Sequence, residues 1–292
     1  MIVVAGGTGT LGARLVPRLV DDGLAVRVLT RDPARAQHLA GPGVEVADGD
    51  VRDPASIAGA LRGASTVISA MHGFAGPGGV SPATVDRGGN AHLLEAAARA
   101  GAALVLVSVV GAAPDHPIEL FRAKYAAEEM LRASSIPWTV VRAAAFMETW
   151  GMIMVRARQA AGKILVFGRG ENPINFVSAA DVAALVSKAA AGSSQRSKVL
   201  ELGGPDNLTF NQVAAILHET TGRRCAVRHI PRPALRTMAV ATAALKPTLA
   251  RQARAALAMD TIDMTFDPAP TRRAFPDLPN TDMPSALKGL LA

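Results

Sequence analysis

The sequence predicts an α/β fold: a doubly wound parallel sheet with a small, mainly helical C-terminal lobe. Short apolar runs alternate with helical patterns over about the first 110 residues, as in a sheet built from strand–helix–strand units. Hydrophobic residues make up 49% of the chain and aromatic residues only 4%, and an aliphatic core of this kind suits a parallel sheet covered by closely packed helices. A length of 292 residues is enough for a large domain with a smaller lobe.

The first half of the chain contains five predicted strands separated by helices or loops. Connections of this kind favour right-handed crossovers and a sheet that is buried on both faces. The strands are Ile2–Ala5, Ala25–Leu29, Val44–Ala47, Thr66–Ala70 and Leu104–Val110. The helices are Leu11–Val20, Pro33–Leu39, Pro54–Leu61 and a long one ending near Ala100-Gly101, which follows a loop from His72 to Pro82.

The second half continues this alternation less regularly. Predicted elements are a helix over Glu119–Ala133, a strand over Trp138–Arg142, a helix over Glu148–Ala160 and strands over Ile164–Phe167 and Val199–Leu202. Short helices and proline breaks follow, too fragmented for an independent sheet. We therefore expect a large domain over residues 1–150, with its sheet completed by segments within 163–204. A small substrate-binding lobe over residues 205–292 packs on it.

Composition excludes several classes of function. The net charge is +7, but the Arg residues are spread along the chain beyond the Arg-rich segment Arg223–Arg236, and no basic run is interleaved with aromatics, so no nucleic-acid partner is expected. The single Cys225 excludes an internal disulfide and offers no metal cluster. Neither a run of about 18 apolar residues nor a charged leader is visible, so we expect no membrane partner and a cytoplasmic location.

A glycine-rich turn follows the first predicted strand and opens the first helix. Gly6, Gly9 and Gly12 give the spacing G-x-x-G-x-x-G. Glycine allows the unusual backbone angles of the turn, the approach of a pyrophosphate to the backbone, and close packing of helix on sheet. The N–H groups at the start of the helix then face the phosphates. This placement predicts a Rossmann-type dinucleotide-binding domain, with phosphate-binding residues Gly6, Thr8, Gly9, Thr10, Leu11 and Gly12.

The end of the second strand bears on the choice of nicotinamide cofactor. An acidic residue there would bind a ribose 2′-hydroxyl, whereas this chain has Arg31 and, one turn later, Arg35. Arginine binds a 2′-phosphate through charge-assisted hydrogen bonds, so NADP(H) is the expected cofactor. The alternative is that both arginines are solvated residues at a helix start. Asp32, before Pro33, is interpreted as a helix N-cap.

These motifs resemble the NmrA-like, atypical branch of the short-chain dehydrogenase/reductase superfamily. Further matching segments are Asp48–Val51, Val85–Asn90, Phe121–Lys124, Trp138–Arg142, Phe146–Glu148, Ile174–Val177 and Asp181–Ala183. The resemblance implies that Asp50 and Val51 flank the adenine. It places Ala70, Met71 and His72 under the ribose and nicotinamide, with Ser108 nearby and Ala143 to Phe146 as a wall. Asp50 as a turn cap and His72 as a plain loop residue remain alternatives.

The chain departs from the superfamily in its catalytic helix. Typical members have a Tyr with a Lys four residues later, but the only tyrosine here, Tyr125, is followed at that distance by Glu129. The family's Lys-x-x-x-Glu register instead matches Lys124 and Glu128 and puts Leu120 at the Tyr position. Lys124 is then expected to bind the nicotinamide ribose or to donate a proton. His72 is the other candidate catalytic residue, and a solvated Lys124 is the alternative.

The resemblance implies an NADPH-dependent reductase that transfers hydride to a carbonyl, a quinone or an activated C=C bond of a small apolar molecule. Phe146, Met147 and Trp150 are the candidate substrate contacts, unless they simply pack a helix on the core. Two other functions stay open: an NADP(H)-sensing regulator without turnover, and a non-redox isomerase or cyclase on the same fold. A homodimer is possible.

Overall fold

The computed structural model describes residues 1–76, 78–222 and 225–291. Its strands are β1 (Ile2–Ala5), β2 (Val26–Thr30), β3 (Val44–Asp48), β4 (Thr66–Ser69), β5 (Ala103–Val109), β6 (Trp138–Ala143), β7 (Ala145–Phe146), β8 (Lys163–Phe167), β9 (Ile174–Val177), β10 (Lys198–Leu202), β11 (Asn207–Leu208) and β12 (Ala226–Ile230).

Helices connect these strands. They are α1 (Gly12–Asp21), α2 (Pro54–Ala58), α3 (Asn90–Ala100), α4 (Glu119–Arg132), α5 (Met147–Ala161), α6 (Ala179–Ala191), α7 (Phe210–Thr221), α8 (Arg232–Ala241), α9 (Pro247–Met259), α10 (Ala269–Ala274) and α11 (Met283–Leu291). Within the described ranges, no helix is both long enough and apolar enough to cross a membrane.

The predicted parallel sheet is confirmed. Seven strands lie in the order β10-β6-β5-β4-β1-β2-β3, and β1 pairs in parallel with β2 on one side and β4 on the other. Strands β1 and β4 are buried along their whole length, as expected for a sheet covered on both faces. The chain order reverses at β1, so the carboxyl ends of β1 and β4 form the topological switch point where ligands bind in such sheets.

Local details of the connections differ from the sequence prediction. Pro33–Leu39 forms a 3₁₀ helix, and the Asp32 carboxylate accepts from the Arg35 backbone N–H at 3.4 Å, so the predicted N-cap is confirmed. The helix α2 ends at Ala58 rather than Leu61. The long helix before β5 begins as a π-helical turn over Pro82–Gly89. Ser81 caps that turn by accepting the Thr84 N–H at 3.1 Å.

The chain divides into two compact units that are interleaved in sequence. The first comprises residues 1–142 and 182–201, and the second residues 143–181 and 202–292, with only 202–222 and 225–291 described in its last part. The division into domains expected at residues 150 and 205 stays a prediction. Of the segments within 163–204, β10 joins the large sheet beside β6, whereas β8 and β9 belong to small sheets of the second unit. Such long-range pairing leaves no local trace in the sequence.

The second unit combines helices with two small sheets. In one sheet β9 lies between β11 and β7, and in the other β12 pairs in parallel with β8. Its C-terminal segment is held by Asp181, whose buried carboxylate accepts from the Thr281 hydroxyl at 2.7 Å and from the Thr281 N–H at 2.9 Å. Arg272 lies 3.2 Å from the same carboxylate. Asp181 therefore anchors the chain end through a tertiary contact.

Candidate functional site

The candidate site lies in the first unit, where four neighbouring parallel strands end. Ala5 of β1 is paired with Leu29 of β2 and with Ser69 of β4, and Thr30 of β2 with Asp48 of β3. The segments that follow these strands therefore meet at one edge of the sheet. They contain the glycine turn, the arginines after β2, Asp50 after β3 and the segment Ala70–His72.

The glycine turn is shaped by two close approaches within the protein. Gly6 has φ +90°, and a Cβ there would lie 2.7 Å from the Ala70 carbonyl oxygen. A Cβ at Gly12 would collide with the backbone of Gly6 and Gly7. Both positions therefore require glycine for the fold itself.

Gly9 differs from these two, because the protein gives no reason for its lack of a side chain. The residue is exposed, its φ is not positive, and a Cβ would meet only the Gly6 carbonyl oxygen, at an ordinary 3.4 Å. A ligand that lay against the backbone, such as a pyrophosphate, would require glycine at this position. Of the other predicted phosphate contacts, Thr10 is exposed, but the Leu11 side chain is buried at 3% exposure, so only its backbone is available.

Arg31 and Arg35 are both exposed after β2. Arg31 lies near enough to Asp50 to contribute to a lowered pKa of that carboxyl. The main cause of the lowered pKa is the hydrogen bond from Arg52, whose Nε lies 3.0 Å from the carboxylate. The Asp50 carboxylate is thus already paired with Arg52. Arg31 therefore contributes a positive charge at this edge of the sheet.

Asp50 borders an open cavity of about 490 Å³. Arg52 and His92 line the same cavity, and the Nδ1 of His92 lies 2.8 Å from the carbonyl oxygen of Val51. The Arg52 N–H also donates to the Asp50 carboxylate at 3.0 Å. Asp50 is therefore a turn-stabilising residue, in agreement with the alternative interpretation, and it lies at the rim where the adenine is predicted.

Lys124 points inward from α4 into a buried ionic cluster. It is 3% exposed, and its Nζ lies 3.0 Å from the fully buried Asp86 carboxylate and 2.8 Å from the Met71 carbonyl oxygen. The other oxygen of Asp86 accepts from the Gly73 N–H at 2.7 Å. Lys124 thereby joins the segment after β4 to the π-helical turn. Tyr125, the next residue, is half-buried, as the predicted helix register requires.

His72 lies next to this cluster and is solvent-accessible. Desolvation by the surrounding protein lowers the pKa of its imidazole; the nearby Lys124 acts in the same direction and Asp86 opposes it. Its Nδ1 accepts from the Phe74 N–H at 3.3 Å. The neutral ring is thus the favoured form near pH 7.

The Ser108 hydroxyl, which was predicted to lie near the ribose and nicotinamide, points to Glu128 instead. Ser108 is buried in β5, and its hydroxyl donates to Glu128 at 2.5 Å. Glu128 is fully buried and also binds Arg132 at 2.7 Å and Arg142 at 2.8 Å. Its hydrogen bond with Arg142 is the main cause of the raised pKa of that guanidinium. The Lys-x-x-x-Glu register therefore serves two buried networks: Lys124 faces the candidate site and Glu128 ties α4 to β5 and β6.

The predicted substrate contacts belong to the second unit and pack largely within it. Met147 is 1% exposed and cannot line a pocket with its side chain. Trp150 packs against Phe210 and Phe167, with ring centroids 5.0 and 6.4 Å away. These two residues follow the core-packing alternative, because Met147 is buried and Trp150 belongs to an aromatic cluster. Phe146 remains half-buried, and the Ala143 side chain is buried.

Asp86 is the site residue that sequence reasoning missed. It lies in the segment Val85–Asn90 that carries the family resemblance, but no role follows for it from the sequence alone. Its signal is the spacing to Asn90, whose side chain donates to the Asp86 carbonyl oxygen at 2.6 Å and accepts from the Ser69 hydroxyl at 2.6 Å. An acid one helical turn before a buried amide indicates an inward-facing polar pair.

Comparison with known proteins places this site in context. A family model described as the NmrA-like family matches residues 1–268. The NAD(P)H azoreductase of Xenophilus azovorans is 31% identical over 225 residues, 76% of this chain and 74% of that protein. The (4-alkanoyl-5-oxo-2,5-dihydrofuran-3-yl)methyl phosphate reductase of Streptomyces griseus is 31% identical over 82% of this chain and 81% of its own length. The crystal structure of an NADPH-dependent quinone oxidoreductase from Escherichia coli, complexed with NADPH, has a TM-score of 0.80 at 23% identity and covers 100% of both chains.

Proposed function

This chain belongs to the NmrA-like family, and on that premise we propose that it is an NADPH-dependent reductase of small apolar molecules. The observation that carries the proposal is the exposed Gly9 at the sheet edge, which the fold itself does not require to be glycine. The predicted oxidoreductase activity and NADP(H) cofactor agree with the relatives described above.

The residues at this edge fit an NADP(H) molecule. The turn around Gly9 and the first N–H groups of α1 would hold the pyrophosphate. Arg31 would hold the 2′-phosphate, with Arg35 in support. The positive charge of Arg31 is available because the nearby Asp50 carboxylate is already paired with Arg52. When bound, the cofactor supplies the hydride.

The chain's own residues orient the cofactor and manage the proton. The Lys124 ammonium group is fixed beside the segment Ala70–His72 by Asp86 and by the Met71 carbonyl oxygen. In this position the ammonium group is suited to binding ribose hydroxyls. Two of the three ammonium hydrogens are already directed to the Asp86 carboxylate and the Met71 carbonyl oxygen, which leaves one for a ribose hydroxyl. We assign proton donation to water, which the accessible and neutral His72 ring orients through a hydrogen bond.

The substrate class is a carbonyl, quinone or activated C=C compound, to which the azoreductase relative adds the azo bond. Reduction of such acceptors needs a hydride and a proton but no tyrosine when the acceptor is strongly electrophilic. This accounts for a site built without the Tyr–Lys pair of the superfamily.

Two measurements test the proposal. Steady NADPH oxidation on a panel of quinones, enones, ketones and azo dyes is expected for at least one class. Dissociation constants for NADPH and NADH should differ at least tenfold in the native protein, since a charged contact to phosphate contributes about 1.5 kcal/mol or more. The difference should collapse in Arg31→Ala and persist in Arg62→Ala, an exposed arginine outside the site. Equal native affinities for both cofactors would refute the role of Arg31.

A regulator that binds NADP(H) without turnover is the second candidate. Lys124 already forms an ion pair and a hydrogen bond within the protein, and this is the observation that favours a regulator. Tight NADPH binding without oxidation across the whole panel is the result that would select this function over the reductase.

A further inference from the structure

The excess of basic over acidic residues is concentrated in one segment of the second unit. Residues 220–259 contain eight of the 31 Lys and Arg residues and none of the 24 Asp and Glu residues. The rest of the chain, with 23 basic and 24 acidic residues, is close to neutral. Arg223 and Arg224 of this segment lie outside the described residues. The excess positive charge is therefore a local feature.

Three bulky apolar side chains are exposed within this segment: Val227 of β12, at 37%, and two that are much more exposed near the turn between α8 and α9. Val240 is 78% exposed and Leu245 is 88% exposed. A neighbouring face of α8, about 100° around the helix, is buried through Leu235 and Ala239. The apolar pair therefore does not belong to the core of its own unit.

Basic side chains flank the apolar pair. Arg236 lies one helical turn before Val240 on α8 and shares its face, and Lys246 follows Leu245 directly; both are exposed. Their exposure leaves both cations accessible to an anionic ligand. We refer to Arg236, Val240, Leu245 and Lys246 as the basic tip.

We propose that the basic tip is a peripheral docking surface for a membrane that contains anionic lipids. Exposed aliphatic side chains insert among lipid headgroups, and adjacent cations bind the lipid phosphates. Such docking needs no membrane-spanning helix. It is independent of the proposed reductase activity and would bring the protein to a surface where apolar molecules accumulate.

Two other occupants fit the observations less well. Residues 225–259 contain no Phe, Trp or Tyr, whereas single-stranded nucleic acids are held by aromatic stacking, and phosphate binding leaves the exposed Leu245 unexplained. A second copy of the tip would place equal positive charges face to face in a symmetric contact. Charge complementarity therefore favours the anionic bilayer.

Co-sedimentation with vesicles tests the proposal. The native protein is expected to bind vesicles of phosphatidylcholine and phosphatidylglycerol in equal parts, and to bind pure phosphatidylcholine at least tenfold more weakly. Val240→Ser with Leu245→Ser should weaken binding about tenfold or more. Arg236→Gln with Lys246→Gln should weaken it about 20- to 30-fold. Lys198→Gln with Val199→Ser, an exposed cation and apolar residue on β10, is the matched control and should bind normally.

Four results would overturn the proposal. They are no binding of the native protein to anionic vesicles, equal binding to neutral vesicles, full binding by the apolar variant, and a dimer in solution that Leu245→Ser dissociates. Fluorescein-labelled single-stranded DNA, bound tightly when anionic vesicles are not, would identify a nucleic-acid surface instead. Circular dichroism of every variant verifies that the fold is retained.

Discussion

The buried Lys124–Asp86 pair allows the structural role of Lys124 to be separated from its role in positioning the cofactor. Both side chains are almost completely buried, and their charges lie 3.0 Å apart. Removing one member of such a pair leaves the other charge uncompensated, which costs about 3–5 kcal/mol. We therefore expect Lys124→Met and Asp86→Asn each to destabilise the first unit by this amount.

The double variant should recover most of that stability. After Asp86→Asn the side-chain amide oxygen can still accept the Gly73 N–H, and after Lys124→Met the thioether chain fills the volume of the lysine stem. The remaining loss is the hydrogen bond to the Met71 carbonyl oxygen, about 1–2 kcal/mol. The coupling free energy between the two positions is then at least about 4 kcal/mol.

Trp138 provides the assay, because it lies in the first unit and Trp150, the only other tryptophan, in the second. In a Trp150→Phe background, urea unfolding followed by fluorescence reports on the first unit. NADPH oxidation of the refolded double variant then measures the positioning role, and we expect turnover lower by about a hundredfold because the cofactor ribose loses a group that holds it. A double variant that loses as much stability as the two single variants together would refute the coupling. Full turnover by a stable double variant would show that Lys124 acts only in the fold.

Three other changes test neighbouring features. Gly9→Val should abolish NADPH binding in a titration while its circular dichroism spectrum stays native. The control Gly41→Val, where a Cβ meets no atom within 4 Å, should bind NADPH normally. If Gly9→Val still binds NADPH, the glycine turn serves only the fold. Tyr125→Phe should keep NADPH oxidation within a fewfold of native, because this side chain points about 100° away from Lys124; an inactive variant would contradict the helix register. The His72 imidazole should titrate below its usual pKa of about 6.5 in an NMR titration assigned with His72→Asn, because desolvation disfavours the cation. It then stays neutral down to a lower pH than a free histidine, and a midpoint above 6.5 would contradict the environment described here.

The elements of the first unit were predictable because their signals are local. Apolar runs marked β1 to β5, glycines marked the turn after β1, and Asp32 before Pro33 marked a helix cap. The inward direction of Lys124 followed from the family resemblance, whose Lys-x-x-x-Glu register matches Lys124 and Glu128, and the helical repeat then turns Tyr125 aside. These features depend on residues that are close together in the chain.

The tertiary structure decided the features that join distant residues. No local signal indicates that Asp86, 38 positions before Lys124, compensates its charge, or that Ser108 binds Glu128 instead of a ligand. The burial of Met147 and the contacts of Trp150 depend on how α5 packs within the second unit. Likewise, β10 extends the large sheet although it follows β6 by more than 50 residues. The physical reason is that pairing and burial are chosen by the packing of whole elements, whereas sequence periodicity records only the face that each element buries.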